Sequence, residues 1–431
     1  MASRVFIGLT EVSGYFGNLQ RGLEGHGVTT TYLDLSGHPF GYRRAGLVGT
    51  WGGLSISLAL RAARAQGLAR GLWRAAWMVT YLLQMPVRVS LLASAIRRHD
   101  VFILSSDTWV HRSLDLPLLR LMGKRIVVVF TGSDHRPPYL DGWFGVGSAD
   151  TDYGALARST RKVRSRVLMA ERYADEIVAL PASAHFHTRP IVDFLRVGIP
   201  SALLDASGEG GPSPFRGEGV RVLHSASNAV GKGTDLVRAA IGELKAAGLA
   251  IDYHEILRRP HSEVLNALQY CDFVVDEVFS DTPMAAFAAE AAAMGKPAVV
   301  TGYYAEMSAD RRAESVPPSL FEPPDRLRGA IERLVRDETF RRELGDRARA
   351  FVLENWTPAA VAGRYLRIID GSVPEDWRWD PAAQRYLYGW GMDRQRVASV
   401  IRELIAREGS GALGLGHNAD LQARILEIAN A

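Results

Sequence analysis

The stretch CDFVVDEVFSDTPMAAFAAEAAAMGKPAVVTG, residues 271–302, places a short apolar run, a polar loop, a helix of small residues and a second apolar run in succession. Apolar runs bounded by turn residues, with a helix between them, indicate parallel strands that are covered on both faces. The helix carries one carboxylate, Glu290. Because an unpaired carboxylate packed between helix and sheet is costly, we expect Glu290 to face a partner or a cleft.

The same alternation runs through the chain on both sides of this stretch. β-Rich runs lie at 4–9, 29–35, 100–106, 125–132 and 176–181, and again at 220–226, 251–256, 272–278 and 297–302. Helices are predicted at 234–247, 261–270 and 283–294. The pattern predicts an α/β protein with two Rossmann-like doubly wound domains, 1–202 and 220–369, that face a cleft. The Gly-, Ser- and Pro-rich segment 203–219 is the expected linker. Two closing helices are expected within 325–369, and residues 370–431 are expected to form a helical extension.

Composition narrows the class of protein. With 431 residues, 47% hydrophobic and 23% charged, the chain is globular, and a net charge of +4 does not demand a nucleic-acid partner. The single cysteine, Cys271, excludes an intrachain disulfide and a thiolate metal site, so a reducing cytoplasm is expected. No signal peptide is expected at the amino terminus. No His and Asp cluster with metal-ligand spacing is found, and no metal is expected.

The most apolar segment, 71–96, has two interpretations. It is interrupted by Arg74, Gln84, Pro86 and Arg88, which argues against a membrane-spanning helix. A helix pair buried in the first domain is the favoured interpretation. The alternative is a lipid interface formed by Trp73, Trp77, Tyr81 and the flanking arginines.

The loop HSASNAVGKGTD, residues 224–235, resembles a nucleotide-hydrolase phosphate loop only superficially. Gly233 follows Lys232 where a Ser or Thr is needed, and Ala226 replaces the first glycine, so the ATPase interpretation fails. A helix nevertheless opens near Thr234, and helix N-termini favour anions, with Lys232 beside it as a cation. A phosphate is therefore the expected ligand of this loop. The alternative is that Thr234 caps the helix and Lys232 is a solvated lysine.

Residues 290–300, EAAAMGKPAVV, and 231–234, GKGT, together resemble the retaining, family-four glycosyltransferases of the GT-B fold. The resemblance implies a nucleotide diphosphate sugar of UDP or GDP type as donor substrate, no cofactor, no metal, and a glycan, lipid-linked saccharide, protein or small molecule as acceptor. It implies that Lys232 contacts the donor diphosphate and Glu290 the ribose or nucleotide of the donor. The expected donor-binding residues are Ser227, Asn228, Gly231, Gly233, Thr234, Glu277, Thr282 and Glu290.

The first domain is expected to hold the acceptor. Its first strand leads into a loop with Gly14 and Tyr15, and FTGSDHR, residues 130–136, follows a later strand on the cleft side. The candidate acceptor-side residues are therefore Gly14, Tyr15, Ser133, Asp134 and Arg136. Contact with a phosphate is the alternative for Asp134, His135 and Arg136. His135 is a candidate catalytic residue with Lys232 and Asp281, although an ordinary loop histidine is the competing interpretation.

The chain also departs from the family pattern. The family has two glutamates eight positions apart, and Thr282 stands eight before Glu290, with Asp281 and Glu277 as substitutes. The basic residue that precedes the family's loop lysine is absent, because Ser225, Ala226, Ser227 and Asn228 occupy that region. A GT-B-like scaffold that binds nucleotide or glycan without transfer therefore stays open, and a sugar-nucleotide epimerase is a weaker alternative. A peripheral contact with the inner membrane face and a homodimer are further expectations.

Overall fold

The computed structural model describes residues 4–35, 67–106, 109, 114–144, 146–148, 150–202, 211–303 and 316–430, with positions 54, 57, 58 and 61. The strands are β1 (Val5–Leu9), β2 (Thr30–Asp34), β3 (Val101–Ser105), β4 (Arg125–Val129), β5 (Glu176–Ala179), β6 (Ile191–Asp193), β7 (Val220–Ala226), β8 (Ile251–Leu257), β9 (Phe273–Val275), β10 (Ala298–Thr301), β11 (Leu320–Glu322) and β12 (Arg378–Trp379). The α-helices are α1 (Tyr15–Gly25), α2 (Gly67–Arg98), α3 (Asp115–Leu121), α4 (Tyr153–Tyr173), α5 (Phe194–Val197), α6 (Ala229–Lys232), α7 (Thr234–Ala246), α8 (His261–Tyr270), α9 (Ala286–Ala293), α10 (Leu327–Arg336), α11 (Glu338–Asn355), α12 (Pro358–Asp370), α13 (Arg394–Glu408) and α14 (Ala419–Asn430).

The first sheet has seven strands in the order β12-β6-β5-β4-β3-β1-β2. All neighbours pair in parallel except β12, which is antiparallel to β6. β1 and β3 are wholly buried apolar runs, as expected for strands covered on both faces. The order reverses direction at β1, which places the loops after β1 and β3 at a topological switch point.

The second sheet has five parallel strands in the order β11-β10-β9-β7-β8. Its switch point lies between β7 and β9, so the loops after these strands open on the cleft. Two doubly wound domains therefore face each other, and a helical part follows, which confirms the predicted GT-B architecture. The linker was predicted at 203–219, of which 203–210 lie outside the described residues.

The carboxyl-terminal part of the chain packs back on the first domain. α12 packs along α1, where the hydroxyls of Tyr15 and Tyr365 lie 2.8 Å apart. α13 and α14 contribute to the same apolar core as α4, with Ile401 and Ile425 fully buried. The first domain is thus completed by residues beyond the predicted linker.

Two predictions of helices are wrong. Residues 71–96 belong to one continuous helix, α2, that runs through Pro86, and much of its apolar surface is exposed, so there is no buried helix pair within 67–98. Within the described part of the chain, the segment Gly71–Arg98 is long and apolar enough to cross a membrane by length and composition. Residues 325–369 form three α-helices rather than two, because Asp337 caps α11 and Thr357 caps α12.

Candidate functional site

A cavity of about 720 Å³ lies between the two sheets and is lined by both domains. The loops that line it follow β1, β3 and β4 on one side and β7, β8 and β9 on the other. These are the carboxyl ends of parallel strands, where ligands of open α/β sheets bind. We call the two sides the first-domain wall and the second-domain wall.

The first-domain wall is rich in hydroxyl and amide groups. Thr10 follows β1, Ser105 and Ser106 lie at the end of β3, and Thr131 to Asp134 follow β4. The Asp134 carboxylate accepts hydrogen bonds from the amides of Thr131 (3.1 Å) and Gly132 (2.9 Å). Burial raises the pKa of Asp134, and these amides lower it in part. The Asp134 carboxylate thus holds the conformation of the loop that carries it.

Two arginines complete this wall. Arg166, on α4, donates from Nη1 to the carbonyl of Asp134 (3.2 Å). Arg136 is buried, donates from Nη2 to Ser133 Oγ (3.2 Å), and lies 3.4 Å from Asp141 Oδ2. The wall therefore presents hydroxyls and two guanidinium groups, which suit a polyhydroxylated or anionic ligand.

The second-domain wall begins with the loop between β7 and α7. Asn228 caps α6 by accepting from the amides of Val230 (3.1 Å) and Gly231 (3.2 Å). A Cβ at Gly231 would lie 2.7 Å from the ring of Trp143. Gly233 has φ 69°, and a Cβ there would meet Val278 at 2.7 Å. Both glycines are therefore required by close packing, and Gly233 also by its left-handed backbone.

Lys232 reaches the cavity from this loop but is already ion-paired. Its ammonium contacts Asp276, and it lies 3.2 Å from Glu277 Oε1 and 5.8 Å from the ring centroid of Phe287. Burial alone lowers the pKa of Lys232, but the two carboxylates outweigh burial and raise that pKa above the lysine range. Burial raises the pKa of Glu277. Lys232 is thus a fixed cation with a second carboxylate beside it.

Glu290 lines the cavity from α9, and the residue at the start of α8 holds it. His261 Nε2 donates to Glu290 Oε1 at 2.8 Å, and both side chains are about four-fifths buried, at 22% and 18% exposed. The expectation that Glu290 faces a partner or a cleft agrees with this placement, because it does both. His261 was not foreseen, since its pairing depends on α8 and α9 lying side by side.

Arg258 and Arg259 extend the cationic surface of the same wall. Arg258 follows β8 directly, and its amide donates to the carbonyl of Ala226 at 3.1 Å. It has φ 52°, a left-handed backbone that is strained for a non-glycine residue. The register of β7 on β8 pairs Ala226 with Leu257. Arg258 therefore adds a second cation beside the loop that carries Lys232.

Asp281 contacts the first domain rather than open solvent. Its Oδ2 accepts from Trp390 Nε1 (2.7 Å) and Ser183 Oγ (3.2 Å), and lies 3.8 Å from Arg136 Nη1. Trp390 belongs to the carboxyl-terminal extension, and Arg136 stacks on its ring at 5.2 Å. Asp281 lines the cavity and at the same time joins the two walls.

The structure places His135 differently from the prediction. The ring is fully buried behind the first-domain wall and does not line the cavity. Its Nδ1 lies 3.2 Å from His187 Nε2, and His187 Nδ1 lies 3.1 Å from Glu171. Burial lowers the pKa of His135 well below the histidine range. His135 is therefore a neutral core histidine, and its predicted catalytic contact is not supported by this geometry.

The predicted site residues as a whole divide into two groups. The side chains or backbone that line the cavity are those of Tyr15, Ser133, Asp134, Arg136, Ser227, Lys232, Glu277, Asp281, Thr282 and Glu290. Those that lie behind it are Gly14, His135, Asn228, Gly231, Gly233 and Thr234. Thr234 bonds His224 Nε2 through its hydroxyl at 2.9 Å, and Gly14 precedes α1 in a left-handed conformation. The second group shapes loops rather than offering side chains to a ligand.

Within the ranges that the structure describes, no group of three or more His, Cys, Asp and Glu side chains is placed to hold a metal ion. The charged groups of the cavity are thus its arginines, Lys232 and the carboxylates described above.

Comparisons with known proteins concern the fold. No protein-family model matches the chain, and no curated protein is significantly similar to it. Sucrose-phosphate synthase from Thermosynechococcus elongatus is 13% identical, with a TM-score of 0.49 over 86% of this chain and 98% of that one. The glycotransferase of kitacinnamycin is 16% identical, with a TM-score of 0.46 over 87% and 100%. Anabaena HepE in complex with UDP-glucose is 12% identical, with a TM-score of 0.45 over 86% and 100%. Likenesses at these identities and TM-scores do not extend to substrate or mechanism.

Proposed function

We propose that the protein is a retaining, metal-independent glycosyltransferase that moves a sugar from a nucleotide diphosphate sugar, of UDP or GDP type, to an acceptor. One observation carries the proposal: Lys232, Arg258 and the Glu290–His261 pair line one wall of a cavity whose opposite wall is rich in hydroxyls. Cations and a carboxylate on one wall match a ligand with a diphosphate and a ribose. The hydroxyl-rich wall matches a sugar or another polar acceptor.

The diphosphate would lie against Lys232 and Arg258. Lys232 approaches from the loop after β7, and Arg258 from the end of the adjacent strand β8. Arg258 supplies the second cation that the loop itself lacks, because its backbone is held beside Ala226. The strained φ of Arg258 favours a binding role, since such strain clusters at functional sites.

The ribose would be bound by Glu290. An ionised carboxylate accepts two hydroxyl hydrogens, as the 2′ and 3′ hydroxyls of a ribose require. His261 donates to one carboxylate oxygen and leaves the other for the ligand. The pair thus fixes the orientation of Glu290 before the nucleotide binds.

Catalysis would be mainly electrostatic. As the bond between the sugar and the diphosphate breaks, negative charge develops on the leaving phosphate oxygen, and Lys232 and Arg258 stabilise it. The leaving diphosphate would take the proton of the acceptor hydroxyl on the same face of the sugar, which gives retention. Asp281 would position the acceptor, because it joins the two walls through Ser183 and Trp390. The reaction would take place in the cytoplasm, where nucleotide sugars are available.

The test combines binding with turnover. We expect UDP or GDP to raise the melting temperature of the full-length protein, as for any ligand that binds the folded state. Incubation with a panel of nucleotide sugars should release nucleotide diphosphate from one donor, and a product with the retained anomer should appear when its acceptor is present. A protein that binds neither UDP nor GDP and releases nothing from any donor would contradict the proposal.

A second function is a GT-B-like scaffold that binds nucleotide or glycan without transfer. It is favoured by the two carboxylates around Lys232 and by the engagement of Asp281 with the first domain. Binding of UDP or GDP without turnover across the donor panel would support it. An epimerase is the weaker alternative, and conversion of the donor sugar without consumption of an acceptor would identify it.

A further inference from the structure

Helix α2 presents a continuous apolar face to solvent. Leu72 is 73% exposed and Leu83 is 69% exposed. The exposed large apolar side chains recur at helical spacing, and we call them the α2 stripe: Leu72, Met78, Val79, Leu82, Leu83, Val87 and Val89. A contiguous exposed apolar surface of this kind marks an interaction site.

The amino-terminal part of the stripe lies beyond the end of the first sheet. α2 has 32 residues and is about 48 Å long, whereas the five residues of β3 span about 17 Å. α2 leads into the amino end of β3, so it runs antiparallel to the strands. Among the α2 side chains that the structure describes, Gln84, Leu92, Ala95 and Ile96 are buried. The residues before Gln84 therefore extend past the carboxyl edge of the sheet, which is the edge that forms the first-domain wall.

The segment that contains α2 carries only positive charge. Between Asp34 and Asp100 the sequence contains nine arginines and neither Asp nor Glu. Arg74 is exposed on α2 itself. Arg61 lies 5.1 Å above the ring of Trp73, and Arg88 lies 5.6 Å from the ring of Tyr81. Apolar, aromatic and cationic side chains together are the composition of a helix that lies in an anionic membrane interface.

A second exposed apolar patch lies on the same face of the first sheet. α3 and the end of α2 pack on one core, through Leu116, Leu119 and Leu92. The outer side of α3 and its flanks carries Leu114, Leu118, Leu121 and Met122, and Leu121 is 81% exposed. Two neighbouring crossover helices thus leave large apolar side chains uncovered on one side of the domain.

We propose that the α2 stripe docks on a lipid bilayer with anionic headgroups, with α2 lying in the interface. A second copy of this chain is a poorer occupant, because a symmetric contact would oppose two segments that each carry nine arginines and no acid. Insertion of α2 across the bilayer as a single spanning helix is also less favourable. α2 follows β2 and precedes β3, and both strands belong to the one sheet whose core buries Leu92, Ala95 and Ile96.

The test is flotation of the full-length protein with vesicles. We expect it to float with vesicles of phosphatidylglycerol and phosphatidylcholine, and to remain unbound with phosphatidylcholine alone or at high salt. Leu82→Glu with Leu83→Glu should lower the partition coefficient by at least about tenfold. Arg74→Gln should lower it by about fivefold. These side chains are exposed, so the folded structure is preserved.

The control is Leu236→Glu, on α7 of the second domain, where the leucine is 47% exposed and outside the stripe. It should float as the unchanged protein does. Three results would each overturn the proposal. The first is no flotation with anionic vesicles, and the second is retention on vesicles after alkaline carbonate washing, which indicates a spanning helix. The third is a stripe variant that changes a dimer into a monomer without changing flotation. Flotation requires neither donor nor turnover, so its outcome is independent of the proposed function.

Discussion

The two walls of the cavity satisfy their polar groups in opposite ways. On the first-domain side, the loop after β1 holds Glu11, which is buried and accepts from the amides of Val12 (2.8 Å), Phe16 (3.2 Å) and Gly17 (2.9 Å). Oε1 accepts from the first two amides, and Oε2 accepts from the Gly17 amide and also from the hydroxyl of Tyr32 (2.9 Å). The amino end of α1 is therefore already neutralised by a carboxylate of the chain.

The equivalent loop of the second domain carries a cation instead of a carboxylate. Lys232 reaches the cavity there, and α7 begins without a side-chain cap. Arg258 and Arg259 add two exposed guanidinium groups to this side. In the first domain the amides at the start of the helix are thus bonded by a carboxylate of the chain, whereas in the second domain the helix has no side-chain cap and its loop carries a cation. Substitutions behind the first-domain wall should change stability, and those on the second-domain wall should change donor turnover.

The largest effect is expected at Lys232. Lys232→Met removes the cation from the leaving diphosphate, and kcat should fall by about 10² to 10³. The substitution also leaves Asp276 buried without its partner, which costs about 3 to 5 kcal/mol of unfolding free energy. Steady-state kinetics measures the loss of kcat, and urea unfolding measures the loss of stability.

The double variant Lys232→Met with Asp276→Asn separates them. It removes the charges of Lys232 and Asp276 and leaves Glu277 as the one remaining carboxylate, so stability should recover in part while kcat stays low. A double variant with unchanged turnover would show that Lys232 acts only in folding, and the contrast between the two walls would then fail.

The next effect is an acid sensitivity of the first domain. His185 is fully buried, donates from Nε2 to the carbonyl of Tyr386 (2.7 Å), and burial lowers its pKa to about 4. Between pH 6.5 and about 4 the unfolded chain binds a proton that the folded chain does not. Stability is therefore fully present above pH 6.5 and falls as the pH decreases, by about 3 kcal/mol from this group. Urea unfolding at a series of pH values measures it.

His185→Gln keeps a donor for Tyr386 and does not titrate. The variant should lose about 3 kcal/mol less than the unchanged protein over the same pH range, with donor affinity at neutral pH unaltered. An identical pH dependence in both proteins would assign the acid sensitivity to other groups.

Much of the fold followed from the sequence, and less of the site did. Apolar runs predicted the main strands. Lys232 and Glu290, which line the cavity, were predicted as site residues because loop glycines and a helix of small residues surround them. His135 was misplaced because sequence position after β4 does not tell which face of the loop a side chain takes. Arg258 was not predicted as a site residue, because its position at the cavity depends on the register of β7 on β8 and on a left-handed backbone. Neither feature can be read from the sequence.

Glu11 gives an effect of intermediate size. Glu11→Gln replaces one acceptor oxygen by an amide donor. That donor faces either the amides of Val12 and Phe16 or the Gly17 amide and the Tyr32 hydroxyl, so a buried hydrogen bond is lost. The expected cost is about 2 kcal/mol of unfolding free energy. The dissociation constant for UDP or GDP should not change, because the proposed diphosphate site is on the other wall. Isothermal calorimetry beside urea unfolding tests this, and weaker nucleotide binding would place the diphosphate at α1.

The smallest effect tests whether strain at Arg258 serves binding. Arg258→Gly removes one cation and also relieves a left-handed backbone, so two consequences of opposite sign are expected. Donor KM should rise by about tenfold, because one charge-assisted contact is lost. Unfolding free energy should stay level or increase, since glycine adopts φ 52° without the cost of about 1 kcal/mol that other residues bear.

Arg259→Gly is the matched control, because Arg259 lines the same cavity but pairs with Glu263 at 2.9 Å. It should raise donor KM less than Arg258→Gly and should lower stability slightly, since the exposed ion pair and the side chain are both lost without relief of strain. Equal donor KM values for the two variants would mean that the second-domain wall acts through diffuse positive charge. A tenfold rise confined to Arg258→Gly would instead show that β8 positions one guanidinium to take the place of the basic residue that the loop after β7 lacks.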